Sequence, residues 1–535
     1  MVVNSRGNIY ILLMWVFLVI SALFTITNFF VDEIILPKWI ATYSVLIIGG
    51  ILSLPFWGSV YSKNMKWDTL YKKICFWTNC LVIIESLLAL AQKYLIVQTD
   101  TIFFGSFDSI TGLISALCFS LPMGFIFFRS LATSQKTLFL VGKAVCCLTI
   151  IIYESRIGII CISITLLYYI FGYWRKKKYW FGIFIVIIIF VCTVFFKTSS
   201  SQGRWFIIQR SLDMVKEHPI VGWGNNGFKK HYMDFQADYF SFHPKSEYAL
   251  LANNIHHPIN EYVLIMVNYG ILVLILVLII IFFTFFHSVK KEKPSSLEGR
   301  YILGIVSIYA LFSYPFAYPF TYIIMILALI LIYSDLILLL MNKTYFLYFC
   351  IVTMVMALFC IKPLTAQATK QILWKRVSIL ASENMTKDSN VISYYEKLYP
   401  LFLDDYNFLY DYACVAYNNE LYPKALMLAK KAKRYIADYD IEILIADIYQ
   451  AMNEYDKALI IYWRVHNMCP SRIAPYYESY KISRFQNDTI KCLLLYTMMN
   501  KRGVKIRNII TESMIYEIEE DIKKLRNNKT PDILD

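Results

Sequence analysis

Over roughly its first two-thirds the chain alternates long apolar runs with short polar breaks, and the runs match the thickness of a bilayer. Trp180 to Phe196 and Ile271 to Phe286 are almost pure Ile, Leu, Val and Phe, and a helix needs roughly 20 such residues to cross a ~30 Å hydrocarbon core. The pattern predicts about eleven membrane-spanning helices, at 9–30, 39–59, 74–96, 110–128, 137–153, 157–174, 179–196, 261–286, 300–320, 321–341 and 345–361. The ninth is the least regular, because Tyr314-Pro315 and Tyr318-Pro319 interrupt it. The first run is too long for a cleaved leader and lacks a small-residue cleavage pattern, so it reads as a retained helix.

From Lys362 onward the pattern changes: the chain is charged, rich in tyrosine and helical in period. It also repeats. Asn419-Glu420-Leu421-Tyr422-Pro423-Lys424-Ala425-Leu426 recurs as Asn453-Glu454-Tyr455-Asp456-Lys457-Ala458-Leu459, with Ala425 and Ala458 33 residues apart. Ala446, Tyr449, Ala458, Tyr462 and Pro470 stand at the spacing of a tetratricopeptide repeat. A looser copy follows at Tyr476 to Asn500, and a helical lead-in starts at Val391. The expected fold class is all-α. A polytopic helical membrane domain (1–361) carries a large loop at 197–260, and a tetratricopeptide-like α-solenoid (362–535) follows. Such a solenoid offers a concave face to a partner rather than a catalytic centre.

Composition agrees: 58% of the 535 residues are hydrophobic and 17% charged. The net charge of +14 would suggest nucleic acid only if it were clustered on a soluble domain. Instead Lys63/Lys66/Lys72/Lys73, Arg129/Lys136, Arg175-Lys176-Lys177-Lys178 and Lys290/Lys291/Lys293/Arg300 fall in alternate loops. Those loops are cytoplasmic by the positive-inside rule, which puts the N-terminus inside and no nucleic acid among the partners. The opposite loops hold Asp32-Glu33, Asp100, Asp108 and the 197–260 stretch, and the same parity places the tail on the outer face. The twelve cysteines lack CxxC spacing and imply neither a disulfide framework nor zinc.

The polar stretch Ser199 to Tyr262 holds five of the seven histidines: His218, His231, His243, His256 and His257. Trp205, Ile208, Leu212 and Val215 fall on one helical face with Gln209, Asp213 and Lys216 opposite, which predicts an amphipathic helix at the membrane surface. Gly222-Trp223-Gly224-Asn225-Asn226-Gly227 spells a dinucleotide fingerprint, but it lacks the βαβ context and reads as a turn. The histidines show no metal-ligand spacing, so no metal and no cofactor are expected, and a loop histidine reads as a proton acceptor. Arg156 at the junction of two spans, with Arg204 and Arg210 in the loop, offers forked guanidinium groups of the kind that bind a diphosphate. Three carboxylate features remain: Asp32-Glu33 as a weak metal pair, Asp438-Tyr439-Asp440 at a repeat boundary, and Glu85 inside a span without an evident partner.

The stretch from Tyr153 to Ile275 resembles the O-antigen ligase/O-antigen polymerase superfamily. The resemblance rests on Ser155-Arg156 opening a span, Gly203-Arg204-Trp205, His218-Pro219-Ile220-Val221-Gly222-Trp223-Gly224, His256-His257-Pro258-Ile259-Asn260-Glu261-Tyr262, and Asn268-Tyr269-Gly270. It implies a metal-independent glycosyltransferase spanning a bacterial inner membrane many times, with a periplasmic tail. The enzyme would move a glycan from an undecaprenyl-diphosphate carrier to a glycan, lipid or protein acceptor. Arg156, Arg204 and Arg210 would hold the diphosphate. His257 or His256 would take the acceptor proton, with Asn260 and Glu261 in support. Many relatives carry His-Asn side by side, whereas here Ile259 separates the histidines from Asn260. Two alternatives stand beside lipopolysaccharide ligation or polymerisation: a protein O-oligosaccharyltransferase whose tail holds the acceptor, and a membrane-anchored scaffold or transporter whose tail binds a protein partner.

Overall fold

A computed structural model describes residues 2–60, 67–95, 104–173, 198–286, 293–340, 343–383, 389–505 and 507–527. Regular structure among them is helical, apart from an isolated bridge between Phe104 and Phe107. The chain divides into two compact units: Met1–Phe196, Ile259–Glu261 and Val277–Arg376 form one, and Lys197–Pro258, Tyr262–Leu276 and Val377–Asp535 form the other.

The first unit contains α1 (Val2–Phe24), α2 (Ile35–Val60), α3 (Trp67–Tyr94), α4 (Ile110–Ser120), α5 (Thr133–Ile152) and α6 (Arg156–Tyr173). After the loop come α9 (Glu261–Phe286), which passes through both units, α10 (Pro294–Ala310), α11 (Pro319–Leu340) and most of α12 (Lys343–Glu383). Six stretches among the described residues are long and apolar enough to cross a bilayer: Gly7–Phe24, Ile35–Pro55, Asp68–Tyr94, Thr133–Ile152, Glu261–Phe286 and Thr344–Ser382. Ile110–Ser120, Arg156–Tyr169 and Pro319–Ser334 are apolar but shorter.

Three expected spans take another form, and one lies outside the described residues. The run at 110–128 is helical only to Ser120 and gives way to turns and a 3-10 helix at Phe125–Ser130. The run at 300–320 does not cross as one helix: α10 stops at Ala310, and a 3-10 turn at Pro315–Ala317 precedes α11. Proline lacks an N–H and fixes φ, so Pro315 and Pro319 both sit at helix starts, where neither defect matters. The last span does not stop at 361; it continues as one 41-residue helix through Pro363 to Glu383. The span expected at 179–196 lies outside the described residues.

Ionisable groups buried among these helices are satisfied internally. Glu298 is fully buried and accepts hydrogen bonds from the Tyr71 hydroxyl, Gly124 N–H (2.7 Å) and Ile126 N–H (3.1 Å). Lys143 donates to Asn79 Oδ1 and to the Ser120 carbonyl, both at 2.5 Å. Glu85 does have a partner: it accepts Ser106 N–H (2.6 Å) and Oγ–H (2.9 Å), with Lys38 Nζ 3.5 Å from the same hydroxyl. A charge at this depth is tolerated only when it is paired in this way. The carboxylates suggested as a metal pair are likewise engaged, with Asp32 capping Ile34, Ile35 and Leu36 N–H groups and Glu33 bound to Lys375 (2.8 Å).

The second unit joins the polar loop to the tail. The loop supplies α7 (Thr198–Glu217), α8 (Gly227–Phe242) and a 3-10 turn at Glu247–Leu250. The tail supplies α13 (Ser389–Leu398), α14 (Tyr406–Asn418), α15 (Tyr422–Lys433), α16 (Tyr439–Ala451), α17 (Tyr455–Met468), α18 (Ala474–Phe485), α19 (Thr489–Arg502) and α20 (Ile509–Asn527).

The repeat read in the sequence is a repeated helical hairpin. Glu420, Asn453 and Asn487 all take the left-handed conformation (φ 60°, 60° and 59°). The next N–H of each hairpin closes on a carbonyl five residues back: Leu421 on Ala416, Glu454 on Tyr449, Asp488 on Ser483, all at 2.9 Å. This is the Schellman closure, and it recurs in the looser third copy. The small residues Ala425 and Ala458 are fully buried at equivalent places. Loop helix α8 packs on α17. Ala437 N–H donates to the Lys229 carbonyl (2.9 Å), Gln236 Nε2 to the Met468 carbonyl (2.6 Å), and Arg464 pairs with Asp234.

Candidate active site

Helix α7 has two apolar faces. Phe206, Ile207 and Met214 are buried, while Trp205 and Leu212 of the predicted amphipathic stripe remain 53% and 38% exposed. The stripe is therefore not what holds the helix in its unit. Arg204 is exposed at the start of the same helix. Arg210 is engaged: its guanidinium pairs with Asp213 (2.8 Å) and lies over the Tyr239 ring at 4.2 Å.

After α7 the His-Pro-Ile-Val-Gly-Trp-Gly segment folds against a break in α9. Gly270 adopts φ 82°, ψ 173° and interrupts that helix, which frees carbonyls on one side of the break and an N–H on the other. Trp223 N–H reaches the Val267 carbonyl (2.9 Å), Gly224 N–H the Asn268 carbonyl (2.8 Å), and Ile271 N–H the Pro219 carbonyl (2.9 Å). Asn268 Oδ1 accepts Phe228 N–H (2.9 Å) at the start of α8. Two motifs that the sequence places 46 residues apart at Gly222 and Asn268 are thus one clasp. Trp223 is flanked by His218 and His231 with ring centroids at 4.4 Å. Burial lowers the His231 pKa. These two histidines belong to an aromatic stack.

His256 has a different environment. Its Nε2 lies 2.8 Å from Oδ2 of Asp438, a tail residue 182 positions away. Asn254 Nδ2 donates to the same oxygen (2.8 Å), and Asn254 Oδ1 accepts Tyr439 N–H (3.3 Å). Asp438 Oδ1 caps α16 through the N–H groups of Asp440 (2.8 Å) and Ile441 (3.1 Å). Burial pushes the Asp438 carboxyl up, but hydrogen bonds from His256, Asn254 and Ile441 outweigh it and hold the pKa below the usual value. Burial and the neighbouring Asp438 charge raise the Asp440 pKa.

The remaining candidates flank strained backbone. Arg156 is half-buried at the first position of α6, two residues after Glu154, which has φ 50°. Ile259 has φ 55° directly after His257-Pro258 and before Asn260. A β-branched residue rarely adopts that conformation, and such strain costs about 1–3 kcal/mol. Glu261 is buried and accepts Phe316 N–H (3.2 Å). Ile259→Gly is expected to raise thermal stability by about 1 kcal/mol. A variant that is no more stable than wild type in detergent melts would show that the dihedral stores no strain.

Within the second unit, then, His256 and Asp438 meet, while Arg210 is taken up by Asp213 and Tyr239. Arg156, Asn260 and Glu261 belong to the first unit. Sequence reasoning missed Asp438 as a partner of the loop, because a contact over 182 residues leaves no local signal. The only hint was its acidic spelling at a repeat boundary.

Residues 141–278 match the family model described as O-antigen ligase. That stretch covers the later part of α5, then α6, α7, α8 and most of α9, and so contains Arg156, Arg204, both loop histidines and the clasp. A search of curated proteins finds no match. The O-antigen ligase match supports the O-antigen ligase superfamily and a glycosyltransferase-type activity. Together with the apolar helices it points to a multi-pass membrane protein.

Proposed function

We propose that the protein transfers a glycan from an undecaprenyl-diphosphate carrier to an acceptor hydroxyl at the outer face of a bacterial inner membrane. The N-terminus is cytoplasmic and the tail, read as tetratricopeptide-like, lies outside. What carries this reading is the O-antigen ligase match over the stretch that holds Arg156, Arg204, His256 and His257. Arg156 and Arg204 bind the diphosphate by charge-assisted hydrogen bonds. Arg210, already paired with Asp213 and lying over the Tyr239 ring, ties α7 to α8. One loop histidine, His257 or His256, takes the acceptor proton. The acceptor oxygen bonds to the anomeric carbon, the bond from that carbon to the phosphate oxygen breaks, and the lipid diphosphate leaves with the electron pair. The arginines stabilise the charge that develops on it.

The test is transfer from a radiolabelled lipid-diphosphate glycan in membranes containing equal amounts of each protein. Arg204→Ala and the double variant His256→Ala/His257→Ala are each expected to lose transfer by about a hundredfold or more. Full activity in both would remove the site assignment. A wild type that is inert with every donor would remove the transferase reading. A protein acceptor is the second reading, favoured by the tail helices sharing one compact unit with the loop. Loss of glycan from secreted proteins, with unchanged lipopolysaccharide, in a deletion strain would select it.

A further inference from the structure

The geometry points to a working part for the tail: we propose that Asp438 is a positioning residue that orients His256 as the base for glycan transfer. This rests on the transferase reading above and extends it to a residue outside the stretch that matches the O-antigen ligase model, residues 141–278.

The carboxylate is held from two sides. Its Oδ1 is tied to the start of α16 by the Asp440 and Ile441 N–H groups, and its Oδ2 takes Asn254 Nδ2 and His256 Nε2, each at 2.8 Å. An ionised carboxylate only accepts hydrogen bonds, so the proton of a neutral His256 must sit on Nε2. The lone pair is then on Nδ1. The His256 side chain is 40% exposed against 11% for Asp438, so the ring is reachable while its anchor is not. A carboxylate, an imidazole oriented by it and a second ring nitrogen on a partly exposed side chain make up the arrangement used to activate a hydroxyl.

In the step itself the acceptor O–H proton passes to Nδ1 as the oxygen attacks the anomeric carbon. The imidazolium that forms faces the Asp438 charge. Asp440 acts on His256 across the start of α16, and Arg472 lies 3.7 Å from Asp440. Asn254 fixes the backbone of the same turn by accepting Tyr439 N–H. A contact that merely tied loop to tail would not need an ionised group; Asn254 and Tyr439 already make such a tie.

Asp438→Asn separates the two roles. Asparagine is as good a helix N-cap as aspartate, so its Oδ1 keeps the bonds to Asp440 and Ile441. Its Nδ2, however, meets both His256 Nε2 and Asn254 Nδ2: the Asn254 amide must turn over to offer its oxygen, giving up the long bond from Tyr439 N–H, and the ring proton is driven onto Nδ1, the wrong nitrogen. The variant is expected to melt within a few degrees of wild type and to bind donor with KM little changed, while kcat falls by about a hundredfold or more. Loss of the facing carboxylate destabilises the imidazolium, so the acid limb of the kcat–pH profile should move to lower pH. His256→Ala should fall as far, and adding Asp438→Asn to it should cost nothing further, while His257→Ala retains more activity than either. An Asp438→Asn protein with wild-type kcat and an unmoved acid limb overturns the proposal. So does one that loses activity only in proportion to a lost melting transition, or a fully active His256→Ala. In each of these cases an inactive Arg204→Ala leaves the transferase reading standing. A wild type inert with every donor removes both.

Discussion

Gly270→Ala is expected to destabilise the protein by about 4 kcal/mol. Two effects add. At φ 82° and ψ 173° the backbone lies in a region almost confined to glycine, which costs an L-residue about 1–3 kcal/mol. A Cβ there would also stand 1.9 Å from the Ile220 carbonyl oxygen and 2.9 Å from Val221 N. These are backbone atoms, so the 219–224 segment must move, and the hydrogen bonds of Trp223, Gly224 and Ile271 across the clasp are strained or lost at about 1 kcal/mol each. Gly224→Ala tests a positive φ without the clash: its φ is also 82°, but a Cβ would meet nothing within 4 Å. Heating detergent-solubilised variants and measuring the monodisperse fraction should rank wild type, then Gly224→Ala, then Gly270→Ala far below. Equal losses in the two variants would mean that the clasp does not constrain the helix break.

A second large effect is expected inside the membrane unit. Glu298→Ala removes the shared acceptor of the Tyr71 hydroxyl and the Gly124 and Ile126 N–H groups. All three donors then lose their acceptor in a buried place, at about 1–3 kcal/mol for each that finds no other. Glu298→Gln keeps one oxygen and should cost roughly half as much. The same melting assay decides it. An alanine variant as stable as the glutamine variant would show that the donors find other partners.

Much of this architecture was legible because its signals are local. Bilayer-length apolar runs and the Ala425/Ala458 repeat each depend on residues near one another in the chain. The Arg210–Asp213 pair is also local, at the i,i+3 spacing that helices favour. The features that escaped are those made by distance. Glu85 looked unpartnered because Ser106 lies in a different element, and His256 gave no reason to choose it over His257 until Asp438 was seen against it. The helix break at Gly270 was visible as a motif but not as a clasp, since its complement at Gly222 is an independent turn in the sequence. Proline explains the span at 300–320. Pro315 and Pro319, which marked that run as the least regular in the sequence, begin helices there instead of lying within one.

The 182 residues between His256 and Asp438 also set a timetable. At about 5–20 residues per second, the ribosome needs roughly ten to forty seconds after making the loop to supply the helices that α8 rests on. During that interval the face of α8 that later meets α17 has no cover of its own. The newborn loop must therefore be sheltered, or left unfolded, until the last third of the chain arrives. A shortened message would yield inserted spans with an unfinished loop rather than a smaller working enzyme.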